Sequence, residues 1–277
     1  MEPEDHRRSD YEATKAIAPG WERQRARLEE AAAPVRAWMI REFAPRVGDT
    51  VLELAAGAGD TGFEAAVIVG ERGRLISTDF SPDMVEVARR RGAALELSNV
   101  DYRVMDAARI ELNADSVDGV LCRFGYMLMA DPAAALSETR RVLRRDGRLV
   151  LAVWSAPERN PWMTILARML VERGHIPPPE PGAPNPFSMA SEERTRALLE
   201  DAGFTAVRTK EVPTRFAFHD VDDYVRYASD SPFAIVLRGL SEREHEAIKA
   251  QLAAAFVRFA ADGGYELPGV ALLAVAS

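Results

Sequence analysis

Between residues 50 and 154, short runs of aliphatic residues alternate with stretches in which apolar residues recur at helical spacing. These runs predict strands at 51–55, 74–79, 101–106, 119–123 and 148–154. Two later runs predict strands at 206–212 and 270–276. Strands that alternate with helices in this way are typical of βαβ units around a parallel sheet. The pattern therefore predicts an α/β fold with a mostly parallel sheet and helices on both faces.

Local signals mark where several helices begin and end. Ser81-Pro82 and Asp131-Pro132 each place a capping side chain before a proline that suits the first helical position. Gly92 and Gly147 are predicted to end those two helices. Further helices are predicted at 20–43, 191–202 (closed by Gly203), 222–227 and 241–261, and a proline-rich surface loop at 177–186.

Composition narrows the class of protein. The 277 residues are 47% hydrophobic and 28% charged, and no apolar run approaches the roughly 20 residues that span a bilayer. The polar first residues lack a secretory apolar stretch, so we expect a soluble, cytoplasmic protein without a membrane partner. The net charge of -8 disfavours nucleic acid as a partner. The single cysteine, Cys122, excludes a cysteine-cluster zinc site, and its apolar neighbours predict a core position. We expect no bound metal.

The main candidate site is the glycine-containing turn after the first predicted strand, Glu53-Leu54-Ala55-Ala56-Gly57-Ala58-Gly59. Glycine lets the backbone approach a ligand at the carboxyl end of a strand, where open α/β sheets bind cofactors. Asp79 ends the second strand, 20 positions after Gly59, and is placed to accept hydrogen bonds from both hydroxyls of a ribose. Asp106 ends the third strand and could accept from an adenine amine. Together these residues predict an adenosine-binding site.

Each of these residues has an alternative, structural interpretation. Asp79 at a strand end could serve as a helix cap, and Glu53 could cap the neighbouring turn. The run Gly57-Ala58-Gly59-Asp60-Thr61-Gly62 also satisfies the pattern of NAD(P)-binding folds, which makes an oxidoreductase an alternative function. Glu53 disfavours that alternative, because a carboxylate is a poor neighbour for a pyrophosphate. A zwitterionic amino acid would suit Glu53 better.

The chain resembles class I methyltransferases, in particular the broad group related to ubiquinone and menaquinone biosynthesis enzymes. Segments from about Trp21 to Trp154 carry the resemblance: 53–59, Thr78-Asp79-Phe80-Ser81-Pro82-Asp83-Met84, Val104-Met105-Asp106-Ala107, 123–127, 131–132 and 138–149. It implies a Rossmann-like, doubly wound fold with an antiparallel last strand. It also implies S-adenosylmethionine as cofactor, S-adenosylhomocysteine as product and a small-molecule acceptor. In the family the position of Ala55 is usually glycine, and Pro-Gly is common where this chain has Asp146-Gly147.

The same resemblance implies roles for individual residues. The backbone of Gly57 and Gly59, with Ala55, would lie alongside the methionine portion of the cofactor, and Asp79 would bind its ribose. Four further residues would surround the adenine: Phe80, Met84, Asp106 and Ala107. The backbone at Arg123 would lie against the methionine amine. The Arg123 side chain could alternatively pair with Asp131 or Asp118.

No catalytic constellation stands out, and methyl transfer from a sulfonium does not require one. If a general base assists, the weak candidates are Tyr126, His175 and His219, each of which could equally be a packing or surface residue. His6 and His245 lie in polar surroundings. The acceptor pocket is expected from segments 11–21, 154–186 and 212–237. Aromatic residues in or next to these segments predict a mainly apolar acceptor or, alternatively, fill a core: Trp162, Phe187, Phe216, Phe218, Tyr224, Tyr227 and Phe233.

We expect three regions along the chain. Residues 1–45 form an N-terminal helical lid, 46–155 the cofactor-binding core, and 156–277 substrate-covering insertions plus the final strands of the same sheet. A non-catalytic S-adenosylmethionine-binding module remains an alternative, since one fold hosts many functions. Arsenic methylation needs several thiols, and one cysteine excludes it.

Overall fold

The computed structural model describes residues 3–180 and 183–277, with side chains described at 20, 22–180 and 183–277. Its strands are β1 (Thr50–Glu53), β2 (Arg74–Asp79), β3 (Val100–Val104), β4 (Val117–Arg123), β5 (Leu143–Trp154), β6 (Arg208–Phe218), β7 (Ala260–Ala261) and β8 (Gly264–Ala276). Among these residues one sheet has the order β3-β2-β1-β4-β5-β8-β6, with β7 paired to β8. The seven predicted strands are therefore confirmed.

The sheet is parallel from β3 to β5 and antiparallel beyond it. Strand β1 pairs with β2 and β4 in parallel, with Glu53 level with both Ser77 and Leu121. Strand β8 runs antiparallel between β5 and β6. Parallel strands bring their carboxyl ends to one edge of the sheet, so the turns after β1, β2, β3 and β4 lie side by side. The predicted antiparallel last strand is confirmed.

Helices surround this sheet: α1 (Pro3–Phe43), α2 (Asp60–Val69), α3 (Pro82–Ala94), α4 (Pro132–Val142), α5 (Pro161–Glu172), α6 (Glu192–Asp201), α7 (Val221–Ala228), α8 (Ala234–Gly239) and α9 (Glu242–Phe256). Both faces of the sheet are covered. A Cβ on Gly119 of β4 would collide with the ring of Phe43 on α1, and Val120 and Cys122, which alternate to the other face, are 0% exposed. Burial raises the pKa of the Cys122 thiol to about 12, which fits the predicted core position.

Several predicted caps are confirmed. Ser81 accepts a hydrogen bond from the Met84 amide at 3.4 Å, and Asp131 accepts one from Ala134 at 2.9 Å. Helix α6 follows Ser191, whose hydroxyl accepts from the Arg194 amide at 3.1 Å. Gly203, with a φ of 88°, lies just beyond its end.

Other predicted boundaries are wrong. Helix α3 continues past Gly92 to Ala94, and Gly92 serves packing, since its missing Cβ leaves space for the Tyr102 hydroxyl. Helix α4 ends at Val142, and the chain enters β5 directly, so Gly147 lies inside a strand. The last helix, α9, ends at Phe256 rather than 261. Helices α5 and α8 were not predicted.

Segment 155–161 is attached to β8 by a buried asparagine. Asn160 is 0% exposed, its Oδ1 accepts from the Val270 amide at 3.0 Å, and its Nδ2 donates to the Ser155 carbonyl at 3.0 Å. Trp162 donates to the same Oδ1 at 3.3 Å. These bonds fix the start of α5 beside the end of β5. Within the described residues, no helix is both long and apolar enough to cross a bilayer.

Candidate active site

The turn after β1 uses left-handed backbone at three positions. Ala55, Gly57 and Gly59 have φ values of 50°, 55° and 85°. This region strains a residue with a Cβ and is free of strain for glycine. A Cβ on Gly59 would collide with the ring of Phe63, so the turn and the start of α2 are closely packed. The turn therefore presents backbone, with little side chain, at the carboxyl edge of the sheet.

Asp79 ties this turn to the end of β2. Its Oδ2 accepts from the Gly57 amide and its Oδ1 from the Ser81 amide, each at 2.9 Å. The residue is 9% exposed, and burial raises the pKa of its carboxyl group. The carboxylate also interacts with the Phe80 amide. The alternative that Asp79 caps the helix is wrong, because Ser81 is the N-cap of α3. The amide contacts of Asp79 are compatible with a ribose-binding role, since each carboxylate oxygen can accept more than one hydrogen bond.

Glu53 is a buried carboxyl group inside β1. Its Oε1 accepts from the Gly62 amide at 2.7 Å, and its Oε2 has no hydrogen-bond partner in the described part of the chain. Burial raises the pKa of Glu53 to about 8, against the opposing effects of the Gly62 hydrogen bond and the positive charge of Arg123. Burial therefore favours the protonated form of this carboxyl group.

The bond between Glu53 and Gly62 bears on the NAD(P) alternative. Gly62 is in the first turn of α2, where a helix presents unpaired amides to an anion. The Glu53 side chain takes one of these amides, and a Cβ on Gly62 would collide with its Oε2. The third glycine of the pattern thus serves the contact between β1 and α2. A pyrophosphate is therefore disfavoured at the start of α2 mainly because the Glu53 side chain already binds an amide there, and less because of the negative charge of Glu53.

The predicted adenine-binding residues follow β2 and β3. Met84 is 5% exposed, and its Cε would lie 3.7 Å from a Cβ built on Gly57. Asp106 Oδ1 accepts from the Ala108 amide at 2.9 Å, and Ala107 is 8% exposed. The Met105 amide donates to the Asp79 carbonyl at 3.0 Å. The ends of β2 and β3 are therefore joined beside the β1 turn, and half-buried Phe80 lies at the same edge.

Arg123 forms an ion pair that the sequence did not predict. Its Nη2 donates to Oε1 of Glu29 on α1. The two predicted alternative partners are wrong: Asp118 pairs with Arg144, and Asp131 caps α4. Arg123 thus connects the end of β4 with α1.

Sequence reasoning also missed the arginines around Asp60, the first residue of α2. Asp60 Oδ1 accepts from Arg91 of α3 at 2.5 Å and from Arg25 of α1 at 3.1 Å. Arg91 donates in addition to the Ala58 carbonyl inside the turn. A signal was present, because Arg91 falls seven positions after Met84, on the same stripe of α3. Helices α1 and α3 together hold the turn from outside.

Of the three weak catalytic candidates, Tyr126 is inside the core, and the two histidines follow α5 and β6. Tyr126 is 0% exposed, shares a 2.6 Å hydrogen bond with the Thr139 hydroxyl, and burial raises its pKa well above the ordinary value. His175 lies 3.4 Å from Glu244 of α9, and His219 is exposed after β6. The geometry of Tyr126 is that of a packing residue. The side chain of His6 lies outside the described residues, as do those of segment 11–19 and Trp21.

Most of the predicted acceptor-pocket aromatics are buried against each other. Trp162 stacks on Phe216 with ring centroids 3.8 Å apart, and Trp154 stacks on Phe124 at 4.1 Å. Phe218, Tyr224 and Tyr227 continue the cluster at centroid distances of 5.0 to 6.3 Å. These rings form a core next to the end of β5. Phe187 and Phe233 are only half-buried.

Residues 45–173 match the family described as a methyltransferase domain. A demethylmenaquinone methyltransferase of Clavibacter sepedonicus is 36% identical over 117 residues, which are 42% of this chain and 46% of that protein. The chain contains a methyltransferase domain. It spans about half the length of the curated relatives that it matches.

Solved structures agree with the methyltransferase domain. A crystal structure of a SAM-dependent methyltransferase from Aquifex aeolicus is 25% identical, with a TM-score of 0.50, and covers 64% of this chain and 83% of that one. The YcgJ protein of Bacillus subtilis shares the fold at 20% identity, with a TM-score of 0.59 over 87% of this chain and 96% of that one. The methyltransferase domain thus has the Rossmann-like fold of the S-adenosylmethionine-dependent class.

Proposed function

We propose that this protein is an S-adenosylmethionine-dependent methyltransferase that acts on a small, mainly apolar acceptor. The observation that carries the proposal is the buried Asp79 carboxylate, joined to the Gly57 amide at the carboxyl edge of β1 and β2. A carboxylate beside a glycine turn, with Asp106 ending the next strand, suits the hydroxyls and base of an adenosine. The match of residues 45–173 to a methyltransferase domain supports the same cofactor.

The residues present fit that cofactor. The Glu53 Oε2 atom is buried without a partner in the described chain, and Gly57, where a Cβ would meet only Met84 Cε at 3.7 Å, leaves room for close backbone approach. In the proposed arrangement, the backbone of Ala55, Gly57 and Gly59 lies alongside the amino-acid portion of S-adenosylmethionine, and Glu53 supports their turn. Asp79 accepts from the ribose. A further set lies around the adenine: Phe80, Met84, Asp106 and Ala107.

S-adenosylmethionine, when bound, supplies a methyl group on a positively charged sulfur that is a good leaving group. The chain's own residues then have to align the acceptor in line with that methyl group and keep water out. Helix α1 is suited to covering the site, because Arg25 and Glu29 attach it to the turn side of the sheet. Tyr126, His175 and His219 are not needed for this alignment, and we assign them no part in it.

Aromatic residues support an apolar acceptor. The stacked pair of Phe124 and Trp154 lies at the carboxyl ends of β4 and β5, next to the proposed donor site. Phe124 has a φ of 61°, an uncommon value for a bulky residue, and such strain clusters at functional sites. Half-buried Phe187 and Phe233 supply further apolar surface. Within this proposal, 1–45 covers the site, 46–155 binds the donor, and 156–277 encloses the acceptor.

Isothermal titration with S-adenosylmethionine, S-adenosylhomocysteine and NAD(P) tests the donor assignment. We expect micromolar binding of the two adenosyl compounds and none of NAD(P). Binding of NAD(P) alone would refute the proposal. A panel of aromatic and polyketide-like acceptors, offered to the donor-loaded protein, then tests the acceptor class. Donor binding with no methylated product from any acceptor would favour a binding module.

A further inference from the structure

Helix α1 brings an acidic residue to the end of β4. Glu29 Oε1 accepts from Arg123, and the two side chains are only 15% and 16% exposed. The second oxygen of Glu29 accepts from Arg36, which also contacts Glu64 of α2 at 3.1 Å. Because Glu29 is held on two sides, it gives the Arg123 guanidinium a fixed direction.

Arg123 stands beside the glycine turn. Leu121 of β4 pairs with Glu53, the last residue of β1, and a Cβ on Gly125 would collide with that of Ala55, so Arg123 lies between two residues that adjoin the start of the turn. Arg123 is close enough to Glu53 for its positive charge to lower the pKa of that carboxyl group, against the larger opposing effect of burial. The side chain of Arg123 therefore lies where the amino-acid portion of a donor is proposed to pass.

Other cations near the turn are already engaged. Arg25 and Arg91 both bind Asp60, at 3.1 and 2.5 Å. Arg123 has five N–H donors in a planar fork, so its bond to Glu29 leaves it able to donate to a second carboxylate. The amino-acid portion of the proposed donor carries such a carboxylate, which needs a cation in a partly buried site.

We propose that Glu29 is a positioning residue of the donor site, which directs the Arg123 guanidinium toward the carboxylate of the donor's amino-acid portion. This inference rests on the proposed function. It makes α1 a part of donor recognition, in addition to any covering role. It also separates recognition of the amino-acid portion, through Glu29 and Arg123, from recognition of the adenosine, through Asp79.

Two ligands distinguish these portions. S-adenosylhomocysteine has the amino acid, whereas 5′-methylthioadenosine keeps the adenosine and the sulfur and lacks the amino acid. Titration of Glu29→Gln should show about tenfold weaker binding of S-adenosylhomocysteine, as for one misplaced charge-assisted hydrogen bond, and unchanged binding of methylthioadenosine. Arg27→Gln is the matched control. It removes another half-buried ion pair of α1, to Asp223 at 2.6 Å. Arg27 is two positions from both Arg25 and Glu29, so it lies on another face of the helix, and its substitution should change neither affinity.

A double-mutant cycle shows whether Glu29 acts through Arg123. In an Arg123→Met background, Glu29→Gln should have little further effect on S-adenosylhomocysteine binding. Equal weakening of both ligands, unchanged binding of both, or additive effects in the cycle would overturn the inference. Thermal unfolding of each variant verifies that it folds. If the parent protein binds neither ligand, the proposed function fails, and this inference fails with it.

Discussion

The Gly57 amide donates to Oδ2 of Asp79 over 2.9 Å, so the turn after β1 and the end of β2 are held together by one side chain. Because Oδ1 of the same carboxylate accepts from Ser81, Asp79 also orders the start of α3. One residue thus shapes the site and, in the proposed function, binds the ribose.

Asp79→Ala should weaken S-adenosylhomocysteine binding by about 1–3 kcal/mol, because two charge-assisted ribose bonds are lost. Isothermal titration measures this. Asp49→Ala is the control, since Asp49 accepts from the Arg46 amide at 2.7 Å just before β1, at the opposite edge of the sheet. Unchanged affinity of Asp79→Ala would show that the ribose lies elsewhere.

Ala55→Gly should stabilise the protein by roughly 0.5–1 kcal/mol. Left-handed backbone costs an alanine about 1–2 kcal/mol, and the greater flexibility of glycine in the unfolded chain offsets part of the gain. Chemical denaturation measures the difference. Ala206→Gly is the matched control, because Ala206 has a φ of 49° against 50° for Ala55, and it should shift stability in the same direction. A loss of stability at position 55 alone would contradict the strain argument.

Glu53→Gln should flatten the dependence of stability on pH. Burial raises the pKa of Glu53 from 4.5 to about 8, so the folded protein keeps a proton that the unfolded chain releases above its own pKa. That stabilising contribution is complete at acid pH and is lost as the pH rises through about 8, with a slope of up to about 1.4 kcal/mol per pH unit. Asp79, whose pKa is also raised, contributes with the same sign and remains in the variant.

The measurement for Glu53→Gln is denaturation of parent and variant across this pH range. Glu138→Gln is the control with the opposite sign, since hydrogen bonds from Arg141 lower the pKa of Glu138. Its contribution to stability is lost as the pH falls. Parallel stability curves for the parent protein and Glu53→Gln would show that Glu53 is ionised normally in the fold.

Arg91→Gln should weaken S-adenosylhomocysteine binding by about threefold to tenfold, because the Ala58 carbonyl and Asp60 lose their common donor and the turn becomes less ordered. Arg90→Gln is a close control. The Arg90 side chain is 58% exposed and lies 4.0 Å from Glu86 on the outer face of α3. Equal affinities of the two variants for S-adenosylhomocysteine would show that Arg91 does not contribute to the donor site.

Tyr126→Phe should lower the free energy of unfolding by about 1 kcal/mol through loss of a buried hydrogen bond. Thr139 still donates to the Ala135 carbonyl at 2.8 Å, so no new unpaired group appears. Donor affinity should be unchanged. A methyl-transfer assay in which this variant is folded, binds the donor and is inactive would restore Tyr126 as a catalytic residue.

Strands β1, β4, β5 and β8 could be predicted because each contains a buried aliphatic run. The junction of α4 and β5 could not be predicted, since Val142 and Leu143 continue the apolar pattern without a break. Gly147 also resembles a glycine that ends a helix, although it lies inside β5. Helix α5 was not predicted, although Asn160 and Pro161 form the same kind of pair as Ser81-Pro82 and Asp131-Pro132. Its capping is irregular: the Asn160 side chain bonds to Val270 instead of to the helix.

The residues along the donor turn were predicted because they follow strands in chain order. Arg123 and Glu29 are 94 positions apart, so their pairing depends on how α1 lies across the sheet. Periodicity could place Glu29 on a helix, but it could not say which strand the helix covers. Likewise, the seven pocket aromatics were recognisable by residue type. The sequence does not show that Phe216 and Tyr224 are only 1% exposed, because that burial depends on the antiparallel end of the sheet.

Because β8 lies between β5 and β6, these strands pair in a different order from the one in which they are synthesised. On the ribosome, β1 to β5 emerge first and can assemble as consecutive βαβ units. Strand β6 emerges well before β8, yet in the finished sheet its hydrogen bonds go to β8. Until β8 is made, the nascent chain exposes one side of β5 and leaves β6 without its neighbour, an edge that is open to aggregation. The parallel strands β1 to β5, which carry the proposed donor site, can therefore fold early, whereas the antiparallel end with its aromatic cluster can fold only after β8 has been synthesised.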